Sequence, residues 1–231
     1  MWQYLELGDK RMFEISKQIS LCYGHRVWSQ DLEEEFCASG DTACKCKHQH
    51  GHQGEIQVFL EASDVNHQGF VTDFKHLGWL RDFVDNYFDH KMIYDLNDPG
   101  LGFLCNGIVR MGFAQDYKIN NEIVRFEKPE AFELYSQWDN LIIPMKEITV
   151  EGKTAGYVLD LEGFEDQLES SHYEILEGYF FVNFVPTSEN LCKFIHGLAQ
   201  EKMKKIGVTV SKVLWQETPK SQATFIAKPL K

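Results

Sequence analysis

Arg11-Met12-Phe13-Glu14-Ile15-Ser16-Lys17-Gln18-Ile19-Ser20-Leu21-Cys22-Tyr23-Gly24-His25 is the stretch on which the reading of this chain turns. Its odd positions are apolar at Phe13, Ile15, Ile19, Leu21 and Tyr23, with Lys17 the exception, and His25 ends the run on the same parity. A period of two places alternate side chains on one face of a strand. Gly54 to Ala62 alternates again through Ile56, Val58 and Leu60, so the two stretches predict an antiparallel hairpin. Their connection is long and charged. Within it, Gln30 to Asp41 is acidic and closes on Ala38-Ser39-Gly40-Asp41, a loop or short helix.

Past the hairpin, Asp64-Val65-Asn66-His67-Gln68-Gly69 is a turn signal. Phe74, Leu77, Leu80, Phe83, Val84, Tyr87 and Phe88 then recur at helical spacing, with Thr72 or Asp73 placed to cap. A second helix starts at Pro186-Thr187-Ser188-Glu189 and carries the stripe Leu191, Phe194, Ile195, Leu198 and Met203. Lys202, Lys204 and Lys205 suit its negative end, and Gly207 stops it. Val208, Val210 and Val213, followed by Ala223 to Ala227, predict a closing hairpin. The order is β-β-α, a gap, then α-β-β, an α+β class. Residues 1–231 are expected to form one domain with a core of about 10–98 and 184–228. The segment of about 99–183 is too apolar for a linker and too long for a bare loop, and it is read as a folded insertion.

Composition narrows the function. Lys and Arg number 23 and Asp and Glu 35 of 231 residues, a formal charge of −12 that argues against a duplex-binding face. A small anionic substrate stays open, since a local pocket can oppose the global sign. No apolar run is long enough to span a bilayer, and Met1 to Lys10 lacks the pattern of a signal peptide, so a cytoplasmic protein without membrane contact is expected. Six cysteines are too sparse for a disulfide scaffold. Cys22, Cys37, Cys105 and Cys192 are read as buried thiols, whereas Cys44 and Cys46 precede a histidine cluster.

His50-Gly51-His52 leads into the second strand, and residues two apart share a face. His25 ends the partner strand and can complete a set of three. Three neutral imidazoles leave a fourth position open, as in catalytic zinc sites. A structural zinc knuckle using Cys44 and Cys46, or no metal at all, remain alternatives at this point. Asp89-His90 ends the first helix and, beside a cysteine, would make a proton relay. Glu217, at the end of the valine-rich strand, has the chemistry to bind a guanidine-like N–H pair through two parallel hydrogen bonds.

Six motifs in order carry a resemblance: Gly24-His25-Arg26, Cys46-x3-His50-Gly51-His52, Gly69-Phe70-Val71-Thr72-Asp73-Phe74, Asp89-His90, Pro186-Thr187-Ser188-Glu189-Asn190 and Trp215-Gln216-Glu217-Thr218. Together they resemble the 6-pyruvoyltetrahydropterin synthase superfamily and its bacterial QueD branch, the 6-carboxytetrahydropterin synthases. The resemblance implies the tunnelling fold, a ββααββ antiparallel sheet with helices on one face that forms barrels in an oligomer, usually a hexamer of two trimers. It implies Zn2+ held by His25, His50 and His52, with Cys46 as base working with Asp89 and His90, which can come from a neighbouring subunit. Glu217 would anchor the pterin, helped by Thr187, Ser188 and Glu189. The substrate would be 7,8-dihydroneopterin triphosphate, losing triphosphate and acetaldehyde on the route to queuosine and other 7-deazaguanines. Cys44 stands at the Cys-x5-His spacing of the pyruvoyl synthases, so that activity is an alternative, and a non-catalytic pterin- or purine-binding role is a separate one. Gln53-Gly54 after the histidines, Tyr23-Gly24 before the first of them, the acidic stretch and the central segment depart from the short members.

Overall fold

Alternation in the two opening stretches becomes a long hairpin in the computed structural model, which describes residues 12–37, 42–119, 122–135 and 141–227. Strand β1 (Phe13–His25) runs antiparallel to β2 (His50–Ala62) in unbroken register from Phe13 opposite Ala62 to His25 opposite His50. Ile19, Leu21 and Tyr23 of β1 and Ile56, Val58 and Leu60 of β2 are all buried on one face. Each such aliphatic side chain contributes about 1.5–3 kcal/mol by leaving water. The strand therefore starts at His50, earlier than the alternation from Gly54 indicates. In the connection, Asp31 bridges to Ala43 and Glu34–Phe36 forms a 3-10 turn. Ala38-Ser39-Gly40-Asp41 and Met1 to Lys10 lie outside the described residues.

The remaining elements are α1 (Gly78–Tyr87), β3 (Lys91–Asp95), α2 (Leu101–Leu104), β4 (Gly107–Ile119), β5 (Glu122–Leu134), β6 (Leu141–Val150), β7 (Lys153–Leu159), α3 (Ser170–Glu177), β8 (Tyr179–Val182), α4 (Ser188–Met203), β9 (Thr209–Thr218) and β10 (Ser221–Ile226). One ten-stranded sheet joins the strands in the order β10-β9-β2-β1-β3-β8-β7-β6-β5-β4. The outer segments build its first half, as their patterns indicate. The central segment supplies β4 to β8 and extends the same sheet. The contact between halves is parallel and brief: Tyr23 and Gly24 of β1 pair with Lys91 and Met92, and β3 then runs along β8. Neither short strand shows in the sequence pattern. β8 is buried at all four positions and β3 at its last three, so no alternation marks them.

Helices pack on the buried face. α4 presents Leu191, Ile195, Leu198, Ala199 and Met203 to the same apolar cluster as Val210, Val213 and Trp215 of β9. The Thr187 hydroxyl caps it by accepting from Asn190 N–H at 3.3 Å. Gly207, at φ 71°, takes the left-handed conformation that ends the turn after it. The first helical run is divided: Phe74–Leu77 is 3-10, with Asp73 accepting from Lys75 N–H at 2.7 Å, and α1 follows. A second apolar cluster around Phe132, Ile143, Tyr157 and Phe181 lies under the central strands. No helix among the described residues is long and apolar enough to cross a membrane.

Candidate metal centre and surrounding site

Because His25 faces His50 and Tyr23 faces His52 across the hairpin, strand parity alone gathers three imidazoles. Their rings stand 4.6 Å (His25–His50), 5.2 Å (His25–His52) and 4.8 Å (His50–His52) apart. One nitrogen of each falls within 4.8 Å of the others. Small ring rotations close that spread to the roughly 3.4 Å separating nitrogens that each lie about 2.0–2.1 Å from a tetrahedral zinc.

Backbone carbonyls set the tautomers. His25 Nδ1–H donates to the Pro186 carbonyl at 2.6 Å, and His50 Nδ1–H donates to the His48 carbonyl at 2.8 Å. A carbonyl can only accept, so each ring carries its proton on Nδ1 and turns the Nε2 lone pair inward. Nε2 of His25 and Nε2 of His52 are buried with no hydrogen-bond partner. Unpaired buried nitrogens are costly unless something else takes the lone pair, and a cation does so. Burial, with His50 and His52 nearby and the Pro186 bond opposing, lowers the His25 pKa to about 4. Burial also lowers that of His52. His25 and His52 are thus neutral near pH 7, the form that binds metal. The donor set fits a zinc-class ion.

Tyr23 braces the centre. Its ring meets His25 at 5.2 Å and His52 at 5.7 Å, and its hydroxyl accepts from Trp215 Nε1–H at 2.9 Å. Gly54 makes room for it, since a Cβ there would lie 3.1 Å from the Tyr23 ring and 3.0 Å from the Gln216 carbonyl. The unusual Tyr23 and Gly54 thus fit one another. Behind His25, Arg26 pairs with buried Asp98 at 3.0 Å, and Trp28 Nε1–H donates to Asp95 at 2.8 Å, tying the following loop to the end of β3.

Glu217 points to the histidines: its Oε1 lies 3.4 Å from His25 Nε2 and 3.5 Å from His52 Nε2. Burial first, Cys44 next and then the Glu217 charge push the Cys46 thiol pKa up. Cys44 Sγ accepts from Cys46 N–H at 3.5 Å. Asp89 and His90 follow α1, with His90 Nδ1 at 3.1 Å from Asp89 Oδ2. The cysteine within 4.8 Å of both is Cys22, not Cys46. Expected as buried, Cys22 is exposed, because it occupies the even parity of β1 and so the face away from the core. Cys37 is half-buried, while Cys105 and Cys192 are buried. Of the helix-start residues, Thr187 caps α4, Ser188 is buried and Glu189 is exposed. Pro186 was not expected to take part, and a carbonyl contact leaves no side-chain signature to read.

The family model for 6-pyruvoyl tetrahydropterin synthase matches residues 14–228, nearly the whole described chain. The chain belongs to this family. Its sheet and helices are the family's tunnelling fold in an α+β chain. Among relatives, the 6-carboxy-5,6,7,8-tetrahydropterin synthase of Aquifex aeolicus is 34% identical over 92 residues, 38% of this chain and 56% of the relative. The enzyme of the same name from Rickettsia bellii is 26% identical over 95 residues, 39% of this chain and 58% of the relative. The matches thus span a little over half the length of these relatives. An uncharacterized protein of Wolinella succinogenes has a solved structure with TM-score 0.68 and 30% identity, covering 94% of this chain and 99% of that one. Coverage that complete takes in the central strands as well.

Proposed function

We propose that the chain is a zinc-dependent lyase of the 6-carboxytetrahydropterin synthase kind, converting 7,8-dihydroneopterin triphosphate to carboxytetrahydropterin, acetaldehyde and triphosphate. The observation that carries this reading is the histidine set, with the His25 and His50 tautomers fixed by Pro186 and His48 and the buried Nε2 atoms of His25 and His52 left without a hydrogen-bond partner. The names of the Aquifex and Rickettsia relatives support the branch. Bound by His25, His50 and His52, zinc supplies Lewis-acid polarisation of substrate oxygens.

The chain's own residues do the rest. Glu217 turns from the histidines to accept two N–H bonds from the pterin ring, whose edge is a guanidine in all but name. Thr187, Ser188 and Glu189 close the ring's binding wall at the start of α4. Cys46 removes the proton from the substrate side chain. Its thiol is held high within one chain, so an imidazole is needed to lower it, and Asp89-His90 of a neighbouring chain supplies one. This is a reason for a homo-oligomer, a hexamer of two trimers, and β10 and β4, the edge strands of the sheet among the described residues, offer backbone for joining sheets. The segment 99–183 acts as an insertion between two parts of one domain. A cytoplasmic location, with neither nucleic acid nor membrane as partner, belongs to the same proposal. Retention of the three-carbon side chain, as in the pyruvoyl synthases, is the second reading, favoured by Cys44 lying beside Cys46.

Subunit mixing tests the assignment of roles. Cys46→Ala and His90→Ala chains, each inactive alone, are expected to regain part of the turnover when dissociated and reassembled together. No recovery in mixed oligomers would put base and relay in one chain and overturn this arrangement.

A further inference from the structure

Inside one chain, Asp89 and His90 are clamped onto Cys22. Cys22 N–H donates to Asp89 Oδ1 at 2.6 Å, and His90 N–H donates to the Cys22 carbonyl at 2.5 Å. His90 sits at φ 57°, a conformation uncommon outside glycine that this backbone pairing holds in place. Asp89 bridges the pair, with one carboxylate oxygen on Cys22 N–H and the other 3.1 Å from His90 Nδ1. Although burial works against it, those contacts keep the Asp89 carboxyl below its usual range and therefore charged. One donor atom each from Cys22, Asp89 and His90 falls within 4.8 Å of the other two. Because Cys22 alternates with buried Leu21 and Tyr23, this cluster faces away from the three histidines. Cys22 and His90 nevertheless line the same cleft of about 550 Å³ as His50 and His52.

A thiol, a carboxylate and an imidazole are the ligand types of borderline-soft cations, whereas calcium and magnesium ask for a shell of oxygens. We propose that Cys22, Asp89 and His90 form a second metal site for a zinc-class divalent cation, and that filling it withdraws Asp89 and His90 from proton transfer. Binding releases the Cys22 thiol proton to solvent and uses a neutral His90 nitrogen and one Asp89 oxygen, with water completing the shell. The site stands on its own geometry. The inhibitory consequence rests on the function proposed above.

Cobalt(II) titration of the metal-stripped full chain tests it. Two equivalents are expected to bind, with a thiolate-to-cobalt charge-transfer band belonging to one of them. In Cys22→Ser, an exposed substitution that removes no core packing, the band disappears and the stoichiometry falls to one. The band survives in Cys46→Ser and in His50→Ala/His52→Ala. A single equivalent in the native chain, or a band that follows Cys46 and ignores Cys22, overturns the site. With turnover as the readout, inhibition by excess zinc weakens at least tenfold in Cys22→Ser, and equal inhibition of both chains refutes the regulatory half. Absence of turnover in the native chain refutes the proposed reaction, while the cobalt count still decides the metal site.

Discussion

Acid should weaken the metal-free protein through His25. The ring is 1% exposed, donates its Nδ1–H to Pro186 and has a pKa lowered to about 4 by burial. In the unfolded chain the same imidazole takes its proton near 6.5. Between those two values the unfolded state binds the extra proton, so stability falls as pH drops from about 6.5 to about 4 and is unaffected by this group above that window. At roughly 1.4 kcal/mol per pH decade, the loss is about 3 kcal/mol. Carboxylates titrate over part of the same range, so the assay is a difference. Urea unfolding of metal-stripped native chain and His25→Asn, whose amide can still donate to the Pro186 carbonyl, is followed from pH 7 to 4. The native chain should lose about 3 kcal/mol more than the variant over that span. Parallel profiles would mean that His25 is not buried as a neutral ring and that its Nε2 lone pair is not held free.

Other consequences concern the neighbours of the three histidines. Cys46→Ala should abolish turnover while leaving zinc and pterin binding intact, as measured by metal content and pterin fluorescence titration; full activity would give the base role to Cys44. Glu217→Ala should weaken pterin binding by about 1–3 kcal/mol, roughly five- to 150-fold, because it leaves the ring's N–H pair unmatched, and unchanged affinity would remove Glu217 from the anchor role. Trp215→Phe takes the donor from the Tyr23 hydroxyl and should cost about 1–3 kcal/mol in urea unfolding. An unaltered midpoint there would show that this bond does not brace the site.

What the sequence revealed follows from where physical constraints are local. Parity along β1 fixes which residues are buried, and the same parity carried onto His25, His50 and His52 gathers the candidate metal centre. Thr187 announces the start of α4, and Gly207 the end of the 3-10 turn that follows it, because capping and left-handed geometry favour those residue types. Parity also held the placement of Cys22, on the even face, but its apolar neighbours suggested burial instead. β3 and β8 stayed hidden because burial on both sides erases alternation. The pairing of Tyr23 with Gly54, the Pro186 carbonyl on His25 and the Arg26–Asp98 contact join distant stretches of chain, and none leaves a local pattern. The division of the first helical run likewise depends on Asp73 capping a 3-10 turn before α1 begins.

The most direct test of the account is to incubate the zinc-loaded chain with 7,8-dihydroneopterin triphosphate and weigh the products by mass spectrometry. Carboxytetrahydropterin, with acetaldehyde and triphosphate released in equal amounts, is the expected result. A product that keeps the three-carbon side chain, or substrate recovered intact from a protein with zinc and pterin bound, would contradict it.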